Sequence, residues 1–147
     1  GFPDWRGAFA RFSRLPNVAT FIGQVQAFGQ LMATAAPRGE QAKDLDYLLN
    51  IGQIFTQIVY AQLAAEAAAP GGTRTGTTAA CAGLDESHVD RMFGVFVQDL
   101  SEYAVAVHGQ ASATPEQQAG ALALIRRAAA DPATAARLHA ELVSYAG

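Results

Sequence analysis

The chain of 147 residues has the length of about one domain, and half of it is apolar, enough to fill a single core. A net charge of −3 and a pI near 5.5 exclude a general nucleic-acid binder, which would carry a basic footprint. Charged residues make up 16% of the chain against ~25% in typical soluble domains, a shortage that predicts a surface partly given over to protein contact.

No signal-peptide pattern opens the chain, and a single cysteine, Cys81, points to a reducing, cytoplasmic setting. Gly1 in place of a start methionine reads as a processed product or a fragment. Phe2, Trp5, Phe9 and Phe12 follow a 3, 4, 3 spacing with Arg6, Arg11 and Arg14 on the other side, which predicts a short amphipathic basic helix in residues 1–16. Such a helix either docks on an anionic surface such as a membrane or packs its rings on an acidic bundle with the arginines solvated. The second reading is preferred.

Leu15-Pro16-Asn17 separates that helix from the next, in residues 17–36, for which Asn17 is the expected cap. Val18, Phe21, Ile22, Val25, Phe28 and Met32 form a core stripe, and Thr20, Gln24, Gln26, Gln30 and Thr34 are assigned to the opposite face. No charge occurs between Arg14 and Arg38. Solvated helices usually carry Lys and Glu pairs, so Gln24, Gln26, Gln30 and Thr34 are read as an interface with protein, where Gly23 and Gly29 would let a second backbone approach.

Residues 40–69 form the longest predicted helix. At ~100° per residue, Leu45, Leu48, Leu49, Ile51, Ile54, Phe55, Ile58, Val59 and Leu63 cover more than half the circumference. Asp46, Asn50, Gln53 and Gln57 share the remainder. An arc of that width predicts a central helix, buried on several sides. Asn50, Gln53, Gln57 and Gln62 disfavour a membrane span, since each is costly to strand in hydrocarbon. Gln62 and Glu66, at i and i+4, fall on the apolar side. They are a candidate polar pocket with a perturbed carboxylate, or else mark an end of the bundle that flares open to water.

Residues 70–83, rich in Gly, Thr and Ala, read as a flexible loop. The loop lacks the GxxxxGK[ST] order of a phosphate loop, and its Cys81 has no activating neighbour. A helix over residues 84–109 follows, with Val89, Phe93, Phe96, Leu100, Tyr103 and Val107 in a bundle seam at 4, 3, 4, 3, 4 spacing. It is expected beside the central helix, with Asp90, Arg91, Gln98 and Glu102 exposed and Val95 and Val105 outside the seam. Thr114-Pro115-Glu116-Gln117 is a capping-box start for residues 115–130. Asp131-Pro132 repeats the device for residues 132–146. Leu122, Ile125, Leu138, Leu142 and Tyr145 suggest that these two helices form a hairpin closing the bundle.

The whole reads as one domain, residues 1–147: an all-α, up-down bundle of four to five helices with a short N-terminal amphipathic helix. Di-iron bundles need Glu-x-x-His pairs on two helices. Asp85-Glu86-Ser87-His88 offers one related pair, while His108 and His139 have no carboxylate at matching spacing. His108 suits a helix C-terminus. No catalytic, cofactor-binding or metal-ligating residue is assigned.

Four runs, Ser13 to Asn17, Asp44 to Leu49, Phe55 to Leu63 and Asp99 to Val105, resemble the helical C-terminal extension of certain bacterial acyl-CoA dehydrogenases. The likeness extends from about Leu15 to His108. It implies a parent enzyme that uses FAD to oxidise an acyl-CoA to the trans-2-enoyl-CoA, with base, flavin and CoA contacts in a catalytic body outside this chain. The segment itself would then be non-catalytic and would pack on that body or on a second subunit of a homo-oligomer. The alternative is an independent bundle that binds a protein partner, or a small apolar ligand near Gln62 and Glu66.

Overall fold

The computed structural model describes residues 4–70, 85–130 and 132–147, with the backbone alone for 132–135 and 138. The predicted loop 70–83 therefore lies outside the described residues apart from Pro70, as do Cys81 and Asp131. The described elements are α1 (Trp5–Ala10), α2 (Pro16–Ala35), a 3-10 turn (Gly39–Lys43), α3 (Leu45–Ala68), α4 (Glu86–His108), α5 (Pro115–Leu124) and α6 (Pro132–Ala146). The architecture is all-α, as expected.

Cross-helix contacts give the directions. Asn17 meets Asp90 and Gln24 meets Val97, so α2 and α4 run parallel. Gln24 also meets Leu124 while Ala35 meets Gln117, so α5 runs antiparallel to α2. Tyr60 stacks edge-on against Phe96, and nearer the start of α3 Gln53 shares a groove with Tyr103, so α3 is antiparallel to α4. The order is up, down, up, down.

The hub is α4, which packs against α2, α3 and α5. It buries Val89, Phe93, Phe96, Val97, Leu100, Ser101, Ala104 and Val107. This corrects the expectation that residues 40–69 form the central helix. The core face of α3 is confined to Tyr47, Ile51, Ile54, Ile58, Ala61, Ala65 and Ala68. Leu45, Leu49 and Leu63 are 73%, 65% and 48% exposed. The apolar girth of α3 therefore consists of two faces, one of which points away from the core of the described residues.

Helices α2 and α3 touch each other little, and α1 lies where that edge of the bundle would be open. Phe9 sets its ring edge against Phe21 of α2 at 5.7 Å and against Phe93 of α4 at 5.6 Å, while α1 also packs on α3. Trp5, Phe9 and Phe12 are buried, and Arg6, Arg11 and Arg14 are exposed. Arg6 lies over the Trp5 ring at 4.7 Å, and Arg14 pairs with Glu86. The aromatic helix thus packs on the bundle, the preferred of its two readings.

Helix starts follow local chemistry. Asp44 Oδ1 accepts the Tyr47 N–H at 3.1 Å and Asp85 Oδ1 accepts the His88 N–H at 2.9 Å. Thr114 and Gln117 close the expected capping box around Pro115. Asn17 departs from expectation, because α2 begins one residue earlier, at Pro16, with Leu15 at the cap. Placed inside the first turn, Asn17 gives its N–H to Asp90 Oδ1 (2.9 Å), and its Oδ1 accepts the Ala129 N–H at 2.7 Å.

The helix expected over residues 115–130 stops at Leu124. Buried side chains capture the backbone groups that would continue it. Leu124 O accepts from Gln24 Nε2 (2.8 Å), the Arg126 N–H bonds Ser101 Oγ (2.9 Å), and Ala129 is held by Asn17. Residues 125–130 run as a non-helical strap across the bundle. At Gly120 a Cβ would stand 2.5 Å from Leu31 Cδ1, so glycine there sets the close approach of α5 to α2. Leu31 is buried where Met32 was expected, and Met32 is only partly covered.

The expected closing hairpin is not formed by the residues assigned to it. In α5 the buried residues are Gln117, Ala121 and Leu124, while Leu122 is 55% exposed and Ile125 lies in the strap. Every described side chain of α6 is exposed, Leu142 at 68% and Tyr145 at 92%. Leu138 lies outside the described side chains.

Candidate contact face

Among the described residues the structure redistributes the sequence candidates. Gln26, Gln30 and Thr34 are exposed on α2, as an interface requires. Thr34 turns its hydroxyl onto Gln30 O at 2.8 Å. A Cβ at Gly23 or Gly29 would meet nothing within 4 Å, so neither glycine is used for a close approach inside the chain. Gln24 is a correction. It is fully buried, and its Nε2 reaches Val97 O (3.1 Å), Ser101 Oγ (3.0 Å) and Leu124 O (2.8 Å), making it a tie inside the core.

Gln62 and Glu66 do come together: Gln62 Nε2 donates to Glu66 Oε1 at 3.0 Å. Both are half-buried, and neither lines the groove described next.

The unanticipated feature is the outer side of α3. Leu45, Leu49, Gly52, Thr56, Val59 and Leu63 follow a 4, 3, 4, 3, 4 spacing and lie opposite the core face. That spacing is the signature of a helix seam prepared for a partner helix. Gly52 and Thr56 are exposed and Val59 is half-buried. Tyr60, on the flank, is 60% exposed. An open groove of about 470 Å³ runs over Leu45, Leu49, Gly52, Gln53 and Thr56 and is bounded by Tyr103 of α4. A Cβ added at Gly52 would meet nothing within 4 Å. No ionisable residue other than tyrosine lies between Asp46 and Glu66. Exposed helix surfaces normally carry charged pairs, and uncharged apolar stripes of this length mark interaction surfaces. The signal was present in the sequence as the excess width of the apolar arc.

The two lowered carboxylates sit at helix starts. Asp85 is held down to about 2 by the His88 backbone N–H, the Ser87 hydroxyl (2.8 Å) and the His88 ring nitrogen (2.6 Å). Asp44 is lowered by the Ser112 hydroxyl and the Tyr47 N–H. Asp99 is raised, by desolvation first and by the neighbouring Glu102 second. Groups lowered on folding contribute stability above their unfolded pKa and lose it as pH falls through the folded value. Replacing Asp85 by alanine is therefore expected to lower the thermal midpoint at neutral pH. The gap to the wild-type chain should narrow between pH 3.8 and about 2, read by circular dichroism melts across that window. A gap independent of pH would contradict the assignment. Among the described residues no cluster of three metal-ligating side chains occurs, and the Asp85 and His88 pair acts as a cap. No described helix is long and apolar enough to cross a membrane.

No protein-family model, curated protein or solved structure matches the chain.

Proposed function

We propose that this chain is a non-catalytic helical packing module and that the outer seam of α3 is its contact surface. The observation that carries the reading is the exposure of Leu45, Leu49 and Leu63, at 73%, 65% and 48%, on a helix whose outward face carries no charge. In water such a face is costly: about 25 cal/mol is gained for each Å² of apolar surface that a partner removes from solvent. Helix α2 contributes a second, polar exposed face through Gln26, Gln30 and Thr34. The resemblance in residues 15–108 supplies the parent: a flavin-dependent acyl-CoA dehydrogenase whose catalytic body lies outside this chain, with FAD and substrate held there.

The test is the natural protein carrying this segment. It should contain flavin, and Leu49→Glu should change its oligomeric mass in light scattering while leaving the flavin content intact. A flavin-free natural protein overturns the dehydrogenase parentage. An unchanged mass together with an unchanged thermal midpoint overturns the contact face, because a seam packed on the catalytic body of its own chain would lose stability instead.

A further inference from the structure

We infer that the partner of the outer α3 seam is the same seam of a second copy of this chain, paired antiparallel about a two-fold axis passing between Gly52 and Thr56. The inference rests on α3 being the contact helix and names what covers it.

The order of side-chain sizes along the seam is palindromic: Leu45 and Leu49, then Gly52 and Thr56, then Val59 and Leu63. In an antiparallel pair centred between positions 52 and 56, Leu45 of one copy faces Leu63 of the other, Leu49 faces Val59, and Gly52 faces Thr56. Large residues then meet large ones near both ends, and the small pair at the centre lets the backbones approach. A two-fold interface requires this kind of self-complementarity, in which residue i meets j and j meets i.

Charge selects the same direction. The start of α3 and the turn before it carry Glu40, Lys43, Asp44 and Asp46, a net charge of −2, while its end carries Glu66, which Gln62 already holds at 3.0 Å. Parallel pairing would set the two acidic starts against each other. Antiparallel pairing keeps them apart by the length of the seam and sets Asp46 near the Tyr60 hydroxyl.

The size of the contact sets its strength. The seam is about 27 Å long at 1.5 Å per residue, and pairing it buries on the order of 1,000 Å² in total, near the lower bound for a specific interface. The dimer should therefore be reversible and dependent on concentration. Helix α6 offers a competing apolar stripe in sequence, but Leu138, Leu142 and Tyr145 span about two turns against about five on α3.

Sedimentation equilibrium of the full chain tests this. Its mass should rise with concentration towards twice 15.4 kDa. Gly52→Glu places a carboxylate beside the axis where nothing in the monomer stands within 4 Å, so the helical spectrum should persist while the mass returns to that of one chain. In a Cys81→Ser background, Leu45→Cys chains mixed with Leu63→Cys chains should form a disulfide. Leu45→Cys chains alone should not, because the two thiols would lie about 27 Å apart. A monomer at every concentration, a dimer that Gly52→Glu leaves intact, or self-crosslinking of Leu45→Cys would each overturn the antiparallel pair. A monomeric chain whose natural assembly still responds to Leu49→Glu overturns the second copy as partner while leaving the contact face standing.

Discussion

Phe93→Ala is expected to remove about 3–5 kcal/mol of folding stability, at the upper end of that range. Phe93 is fully buried, and three rings lie against it: Phe9 at 5.6 Å, Phe21 at 5.5 Å and Phe96 at 5.2 Å, all steeply inclined. Each edge-to-face pair adds ~0.5–1.5 kcal/mol beyond the area it buries. The ring also joins three elements, because Phe9 belongs to α1 and Phe21 to α2. Truncation would therefore open a cavity where α1 closes the bundle, and the helix most easily lost is α1, whose six residues cannot hold a helix unaided. Urea unfolding followed by circular dichroism gives the total. Tryptophan fluorescence reports α1 separately, since Trp5 is the chain's single tryptophan. A loss below about 1 kcal/mol would fall outside the range for a buried phenylalanine and contradict the placement of Phe93 at the junction.

Gln24→Ala is expected to cost roughly 2–4 kcal/mol, the sum of a small cavity and of buried acceptors left without a donor. The Nε2 group has two hydrogens and three acceptors around it, of which Leu124 O, at 2.8 Å, is the closest. The one hydroxyl hydrogen of Ser101 remains to serve Val97 O or Arg126 O, each at 2.8 Å, so the loss falls mainly on the carbonyl that ends α5. The strap from residue 125 to 130 should loosen first, seen as faster hydrogen exchange at the Arg126 amide than at the amides of α4. Gln24→Glu keeps the shape but sets a carboxylate among backbone carbonyls, and it should be worse than alanine at neutral pH. A Gln24→Ala chain as stable as the wild type would show that the amide is not a tie of the core.

These two residues also show how legible the chain was. Phe93 stood in the seam read from spacing alone, since a 4, 3, 4 pattern of large apolar residues is a local property that packing only confirms. The capping box at Thr114 and the burial of Trp5 and Phe9 were legible for the same reason. Gln24 was not read correctly, although its position was available. At ~100° per residue it falls between Leu31 and Phe28, a core position that its amide group disguises. The end of α5 was hidden for a different reason. Arg126 to Ala130 is a good helix former by composition, and propensity was overridden by side chains from α2 and α4, distant in sequence, that bind the backbone of the strap.

The role of α3 was misread through the same kind of ambiguity. A wheel sums apolar residues around a helix without saying whether their neighbours belong to the same chain. Ile51, Ile54 and Ile58 face the core, while Leu45, Leu49 and Leu63 face away from it, and together they make one wide arc. The hub, α4, is marked by small residues where its neighbours come close. Ser101 and Ala104 are buried in its packing faces, and at Gly94 a Cβ would stand 3.1 Å from Asn17 Nδ2. On α2, Gln26, Gln30 and Thr34 are exposed as expected, and Gln24 belongs to the core.

The central claim is that the leucines of the outer α3 seam lie outside this chain's own core, and the unfolding free energy of Leu49→Glu in dilute solution tests it most directly. Dilution removes any stability that self-association would add. An outward-facing residue predicts a change within about 0.5 kcal/mol of the wild type, with the helical spectrum unchanged. A loss of about 3 kcal/mol or more, the signature of a charge forced into a packed interior, would contradict the account and return α3 to the centre of the bundle.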